Sequence, residues 1–228
     1  MNDTPMFDRR EMLLVHDMLR REIGLLPRTV RSIAPEDTER VRVVGGHIAT
    51  VTGLLHHHHA SEDELLWPLL EKRCYDRISG TVTLMEDQHR RVDALVKDIG
   101  GKLPAWTADP APVSRDALAD ALDELLVALK EHLGAEESQI LPVMEEHITA
   151  DEWNAVVREG AATADPATMP LMFGMVMYEG DPELVEAALA NMPPEVGPFM
   201  RQTAPQAYAA HAQLVYGTPT PARGTELS

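Results

Sequence analysis

Two segments of the sequence repeat one pattern. Residues 58–68 read HHASEDELLWP, and residues 132–142 read HLGAEESQILP. In each segment a histidine, His58 or His132, lies four positions before a glutamate, and a proline lies six positions after that glutamate. Helix positions i and i+4 share one face, so each segment directs an imidazole and a carboxylate to the same point. Proline cannot continue the helical hydrogen bonding, so we expect each helix to bend or loosen just after its glutamate.

The composition limits the class of protein. The chain has 228 residues, of which 44% are hydrophobic, so it can bury a sizeable core and disorder is not expected. Its formal net charge is −17, which argues against nucleic acids and anionic membrane surfaces, because both attract Lys and Arg. We therefore predict no nucleic-acid partner and no membrane partner. The oligomeric state is left open.

The cysteine content and the N-terminus predict the cellular compartment. Cys74 is the one cysteine, so the chain cannot form an internal disulfide, which fits a reducing cytosol. No apolar run approaches the length of a membrane span, and residues 1–5 do not read as a signal peptide. We predict a cytoplasmic protein.

Helical periodicity dominates residues 6–148, and no segment there reads as a convincing strand. Four long helices are expected: over residues 6–26 with a stop at Pro27, from residue 35 to about Arg73, from Ser79 to about Ile99, and from Ser114 through the second motif. This pattern predicts an all-α fold, an antiparallel up-down-up-down four-helix bundle, which we assign to residues 1–148.

The remainder, residues 149–228, is predicted to be an extension of short helices with a loose tail from Gly217. Thr149 and Glu152 form a capping box for the first of these helices, which is expected to reach about Ala162. A methionine-rich stretch follows at residues 169–177. We interpret it as an adaptable apolar surface packed on the bundle, because no thiolate cluster accompanies it to form a metal site.

A set of histidines and glutamates is distributed over the four predicted long helices. The first and third helices each carry an isolated histidine, and the second and fourth each carry a His-x-x-x-Glu pair. The candidate metal ligands are His16, His58, Glu62, His89, His132 and Glu136. Two glutamates on opposing helices can each bridge two cations, and four histidines can then cap the pair. Such mixed ligation suits iron, manganese or zinc.

Other histidines and acids lie near these positions. Successive helical residues turn by about 100°, so the run of four histidines at 56–59 fans around its helix. The position of the proline selects His58, His56 or His57 could assist, and His59 is expected to face outward. Glu86 and Asp93 flank His89, one as a possible further ligand and the other as a hydrogen-bond acceptor for its ring. Structural or surface roles are expected for His47, His147, Tyr208 and His211.

These residues resemble the hemerythrin-like, or HHE cation-binding, proteins over roughly residues 6–148. The resemblance is carried by His16, the two His-x-x-x-Glu pairs, His89, and the two prolines that follow the pairs. It implies an antiparallel four-helix bundle around a non-haem centre of two iron ions. The family includes oxygen carriers, oxygen or redox sensors, iron-linked regulators and proteins that handle peroxide or nitric oxide.

One departure from the oxygen carriers affects the expected function. The carriers have a further histidine one turn before the third-helix ligand, where this chain has Met85, and their fourth-helix carboxylate is usually an aspartate at longer spacing, where this chain has Glu136. This argues against reversible oxygen carriage and leaves room for a small oxidant. We therefore predict breakdown of peroxide in the manner of a catalase, or related chemistry with oxygen or nitric oxide.

Alternative readings remain at this stage. The protein could instead be an oxygen carrier or sensor, or serve in iron storage or iron-responsive regulation. A ferritin-like site needs two Glu-x-x-His motifs and only Glu86-x-x-His89 is found, and a plain acidic bundle would not order its histidines in this way. The place of the missing histidine could be taken by water, by Glu86, or by Tyr178, Tyr208 or His211 from the extension.

Overall fold

The computed structural model of the protein describes residues 4–162 and 165–224. The described residues form helices and no β-strand, apart from one isolated bridge between Met6 and Thr149, which confirms the all-α class. The elements are α1 (Arg9–Arg31), α2 (Thr38–Ser61), a π-helical turn (Glu62–Leu66), α3 (Trp67–Ala108), α4 (Pro112–Gln139), α5 (Leu141–His147), α6 (Ala150–Ala162), α7 (Met169–Met177), α8 (Pro182–Ala190) and α9 (Val196–Tyr216).

Helix α1 continues past the proline that was expected to end it. Asp8 caps its first turn by accepting from the Arg10 backbone N–H, and Pro27 lies inside the helix. An internal proline costs about 3 kcal/mol. Burial of Leu26 and Val30, both fully buried, offsets much of this cost, since each such side chain contributes about 1.5–3 kcal/mol. The predicted stop at Pro27 is therefore wrong because tertiary packing overrides local propensity.

The first motif loosens its helix as predicted, by widening into the π-helical turn at Glu62–Leu66. The Trp67 backbone N–H, just before Pro68, reaches back five residues to the Glu62 carbonyl. Farther along, α3 contains a non-helical residue, Cys74, with φ −147° and ψ 43°. The chain reverses direction across this kink, as is evident from the stacking of His59, before the kink, on His89, after it. Cys74 is therefore the turn between the second and third long helices.

The third and fourth long helices extend beyond their predicted ends. The third runs through the expected stop at residues 99–101 to Ala108, and Trp106 in this added length is fully buried. The fourth begins at Pro112, two residues before the predicted cap Ser114. The second motif loosens its helix at Ile140, which separates α4 from α5, as its proline predicted.

The long helices contact one another in pairs: α1 with α2 and α4, and α3 with α2 and α4. Helices α1 and α2 are antiparallel, since His16 contacts His58 and the later residue Glu22 contacts the earlier residue His47. Arg9 likewise bonds the Glu137 carbonyl near the end of α4. These contacts accord with the predicted up-down-up-down bundle, which stays a prediction in its exact topology, as does the boundary at residue 148.

The C-terminal helices pack on α1 and α2 through α7 and α9. Thr149 and Glu152 form the predicted capping box at the start of α6. In α7, Gly174 lies so close to the α9 backbone that an added Cβ would meet the Ala204 carbonyl oxygen at 2.2 Å. Helix α9 ends at Gly217, whose φ of 78° is left-handed.

The predicted loose tail is not loose over the residues that the structure describes. Tyr178 donates a hydrogen bond to the Pro221 carbonyl, and the Gly224 backbone N–H donates to Glu179. The rest of the predicted tail, residues 225–228, lies outside the described residues. Among the helices that the structure describes, none combines the length and apolarity needed to cross a membrane.

Candidate metal centre

The structure brings the six predicted ligands together, with one addition. They fall into two adjoining groups, in each of which the candidate ligand atoms lie within 4.8 Å of one another. One group is His16, His58, Glu62 and Glu136, and the other is His59, His89 and His132. We call these seven side chains the His–Glu cluster. They come from α1, α2, the π-helical turn, α3 and α4.

The two glutamates lie between the groups. Glu62 places Oε1 at 3.3 Å from Nε2 of His58 and Oε2 at 3.4 Å from Nε2 of His89. Glu136 places Oε2 at 3.3 Å from Nε2 of His16 and at 3.7 Å from Nε2 of His132. Each carboxylate therefore faces both groups, which is the placement that a ligand shared by two cations requires.

The inward-facing atoms of the His–Glu cluster are buried and make no hydrogen bond. They are four Nε2 atoms (His16, His58, His89 and His132), both ring nitrogens of His59, and all four oxygens of Glu62 and Glu136. A buried polar atom without a hydrogen-bond partner costs about 1–3 kcal/mol. A concentration of such atoms in one place therefore needs an explanation. Bound metal cations would supply it, because both imidazole nitrogen and carboxylate oxygen are metal ligands. The residues present thus fit a metal centre.

Three histidines of the cluster are held from outside by oxygen acceptors. His16 Nδ1 lies 2.9 Å from Glu137 Oε1, and His89 Nδ1 lies 2.9 Å from Asp63 Oδ1. His132 Nδ1 lies 3.2 Å from Gln88 Oε1. A carboxylate or amide oxygen accepts, so Nδ1 carries a proton in each ring and Nε2 is the atom that faces the cluster. Although burial opposes it, Glu136 and Glu137 raise the pKa of His16 to about 9, so its Nε2 must lose a proton before it can bind a metal. Such outer partners orient metal-bound histidines and raise their basicity.

Sequence reasoning missed these outer partners and named two others instead. Glu86 is exposed and lies outside the His–Glu cluster, and Asp93 pairs with His56 at 3.0 Å rather than with His89. A signal was available, because each outer partner is the chain neighbour of a ligand. Asp63 follows Glu62, Glu137 follows Glu136, and Gln88 precedes His89.

The two glutamates carry opposite pKa shifts. Burial raises the pKa of Glu62 well above its usual value, and the facing Glu136 carboxylate raises it further. Burial also opposes ionisation of Glu136, but the neighbouring His16 lowers its pKa to about 2. Burial lowers the pKa of His58 to about 3 and that of His132 to about 4. These two histidines are therefore neutral at pH 7, the form that binds a metal.

His59 was expected to face outward, and this expectation is wrong. Its side chain is fully buried, with its ring stacked on His89 at 4.1 Å between centroids and edge-on to His132 at 4.7 Å. The inward stripe of a packed helix is at least about 100° wide, so two successive residues can both face inside. His56 and His57, three and two residues before His59, are exposed.

The residues proposed to replace the missing histidine lie elsewhere. Met85 is fully buried in an apolar cluster. Tyr178 donates to the Pro221 carbonyl, Tyr208 donates to Glu22 at 2.6 Å, and His211 lies 3.0 Å from His47. The extension therefore contributes none of these three side chains to the His–Glu cluster, and His59 is the fifth histidine there.

Comparison with known proteins gives one match. The sequence pattern of a family described as "Hemerythrin HHE cation binding domain" matches residues 9–144, a segment that contains the whole His–Glu cluster. No curated protein and no solved structure matches the chain significantly.

Proposed function

Because the chain belongs to the hemerythrin family of HHE cation-binding domains, we propose that its His–Glu cluster holds two iron ions and reacts with a small oxidant. The observation that carries this proposal is the convergence of buried, unpartnered ligand atoms from several helices. Imidazole and carboxylate without thiolate suit iron, and also manganese or zinc. The pairwise helix contacts support an up-down-up-down four-helix bundle as the scaffold.

The cluster would divide its ligands unequally between two ions. His59, His89 and His132 would hold one ion, and His16 and His58 would hold the other. Glu62 and Glu136 face both groups and would be shared. The ion on the two-histidine side has fewer protein ligands, so we propose that the oxidant binds on that side.

The iron would supply a binding position for the oxidant and exchange of electrons between its ferrous and ferric states. The chain's own residues do the positioning. Glu137 and Asp63 hold the His16 and His89 rings with Nε2 inward. Burial of the cluster keeps bulk water away, which strengthens each electrostatic interaction within it.

The proposed small-molecule partners are peroxide, oxygen and nitric oxide. The prediction of catalase-like peroxide breakdown rests on a missing fifth histidine, and His59 offers one beside His89 and His132. A second candidate function is therefore oxygen binding, as a carrier or sensor, because a five-histidine set removes the part of the argument against it that rested on Met85, while the difference at Glu136 stays.

Metal analysis with optical spectroscopy tests the proposal. Protein purified from iron-replete cells should contain two iron ions per chain, and its spectrum should change on addition of peroxide or oxygen. One ion or none per chain would overturn it. Recovery of the starting spectrum when oxygen is purged indicates oxygen binding, whereas evolution of oxygen from added peroxide indicates peroxide breakdown.

A further inference from the structure

A cavity of about 190 Å³ lies between α1, α2 and α6, open to solvent beside the exposed His57 and Val157, and reaches the His–Glu cluster at His58. Its wall is mostly apolar, with Met12, Val15 and Met18 from α1, Leu54 from α2 and Val156 from α6. No Asp, Glu, Lys or Arg lines it among the described residues. A charged ligand there would lose part of its hydration and find no counter-ion in the wall, so the wall favours an uncharged molecule.

The polar side chains of the wall are His57, His58 and Ser61 from α2 and Trp153 from α6, whose indole N–H donates to Glu11 at 2.7 Å. Ser61 already donates its hydroxyl proton to the His57 carbonyl at 2.9 Å, and His57 Nε2 lies 3.1 Å from the Gly160 carbonyl. These contacts engage the Ser61 hydroxyl and His57 Nε2, so His58 is the polar side chain of the wall whose Nε2 has no hydrogen-bond partner. An occupant would be held mainly by burial of its apolar surface against the apolar part of the wall.

His58 belongs to both the cavity and the His–Glu cluster. Its side chain is 13% exposed, compared with 2% or less for the other cluster side chains in the same ion pairs. The α1 residues that line the cavity flank His16, the other histidine of the two-histidine group. The cavity therefore adjoins the half of the cluster that has fewer histidines.

We propose that this cavity binds one small, uncharged, apolar organic molecule of about the size of benzene, beside the two-histidine half of the centre. An apolar cavity of about 150 Å³ is known to hold benzene, whereas one water takes up about 30 Å³ in the liquid. The volume is thus far larger than a diatomic oxidant needs. The binding of the organic molecule stands on the cavity alone, and its position relative to an oxidant rests on the proposed function.

Benzene titrated into the metal-loaded protein, followed by calorimetry, tests the proposal. Saturable binding of one molecule per chain is expected, and benzoate, of similar size but charged, should not bind. Leu54→Phe fills the cavity and should weaken benzene binding at least tenfold. Leu126→Phe is the matched control, because this leucine is also partly buried but lies on α4 and does not line the cavity, and the variant should bind benzene as the unmodified protein does.

A second readout places the bound molecule. Saturating benzene should slow the spectral change that peroxide produces in the unmodified protein, and should leave it unaltered in Leu54→Phe. Val156→Phe repeats the test from α6 should Leu54→Phe fail to fold. No saturable binding, or equal binding in the filled variants, would overturn the inference even if two metals are present. Benzene binding by a chain that holds no metal would instead refute the proposed function alone.

Discussion

The protein contains two buried groups of histidines and carboxylates that differ in one respect. The His–Glu cluster leaves its inward atoms without hydrogen bonds. The second group, which we call the Glu22 cluster, comprises Arg21, Glu22, His47, Tyr208, His211 and Tyr216. Its buried polar atoms are paired. Glu22 accepts from Tyr208 and from Tyr216, each at 2.6 Å, and from Arg21 at 2.8 Å.

The difference in pairing is accompanied by a difference in charge. Burial disfavours ionisation of Glu22, but His47 and Arg21 lower its pKa to about 2, so it is an anion among donors. Burial and a facing carboxylate instead raise the pKa of Glu62. The Glu22 cluster, with its polar atoms paired, holds α7 and α9 on α1 and α2. The His–Glu cluster, with its inward atoms unpaired, would be satisfied by a bound ligand. The residue types of the two clusters are similar, and it is the presence or absence of hydrogen-bond partners that distinguishes them.

Replacing one carboxylate in each cluster gives the largest expected contrast. Glu136→Gln removes a proposed shared ligand at nearly constant volume, so we expect loss of most of the bound metal. Glu22→Gln alters the paired network and should keep both ions. Metal per folded chain, measured by mass spectrometry after gel filtration, checks this. Equal metal loss in the two variants would mean that the clusters are not functionally distinct.

Removing the Glu22 side chain should cost stability instead of metal. Glu22→Ala removes the acceptor of Tyr208 and Tyr216 and one of the two carboxylates that pair with Arg21, and breaking a buried pair costs about 3–5 kcal/mol. Urea unfolding of the metal-loaded protein measures the free-energy difference. Glu39→Ala is the control, because Glu39 pairs with Arg42 on the surface, where such pairs contribute about 1 kcal/mol or less. A similar loss in both variants would contradict a structural role for Glu22.

The sequence predicted more of the His–Glu cluster than of the Glu22 cluster for a physical reason. Ligands spaced by one helical turn leave a pattern that one segment displays, as in His58 and Glu62. The Glu22 cluster unites residues far apart in the chain, such as Glu22 and Tyr208, and no local period links them. Its existence follows only from how α7 and α9 pack.

The predicted end of α1 and the predicted outward orientation of His59 were wrong because each depends on tertiary contacts with other helices. Continuation of α1 past Pro27 is decided by the burial of Val30, which the local sequence does not encode. Which of two successive histidines faces inward depends on the rotation of the helix against its partners. The proline position therefore selected His58, which lies in the His–Glu cluster, but could not reveal that His59 lies inside as well.

His59→Ala separates a fifth ligand from a packing residue. His59 is a candidate ligand because both of its ring nitrogens are buried without a hydrogen-bond partner beside His89 and His132. We expect affinity for one of the two ions to fall by at least about tenfold, the lower end of the range for loss of an outer partner. Competition with a chelator measures it. His57→Ala, at the exposed neighbouring position, should behave as the unmodified protein, and equal retention in both variants would remove His59 from the site.

The smallest expected effect is a pH dependence in the Glu22 cluster. Burial, reinforced by the nearby His47 and opposed by Glu22, lowers the pKa of His211 to about 4 from an ordinary value of 6.5. Between pH 6.5 and about 4, His211 is protonated in the unfolded chain but neutral in the folded protein. The free energy of unfolding therefore falls as the pH drops through this range. His211→Gln removes this titration while keeping an amide within reach of His47.

Urea midpoints of the two metal-loaded proteins at pH 7, 6 and 5 check this sign. The stability of the unmodified protein relative to His211→Gln should decrease at each step, because only the former takes up the proton on unfolding. Loss of metal at low pH affects both proteins and cancels in the difference. A difference that stays constant from pH 7 to 5 would show that His211 is not held neutral by its surroundings, and the Glu22 cluster would then be less closed to water than its hydrogen bonds indicate.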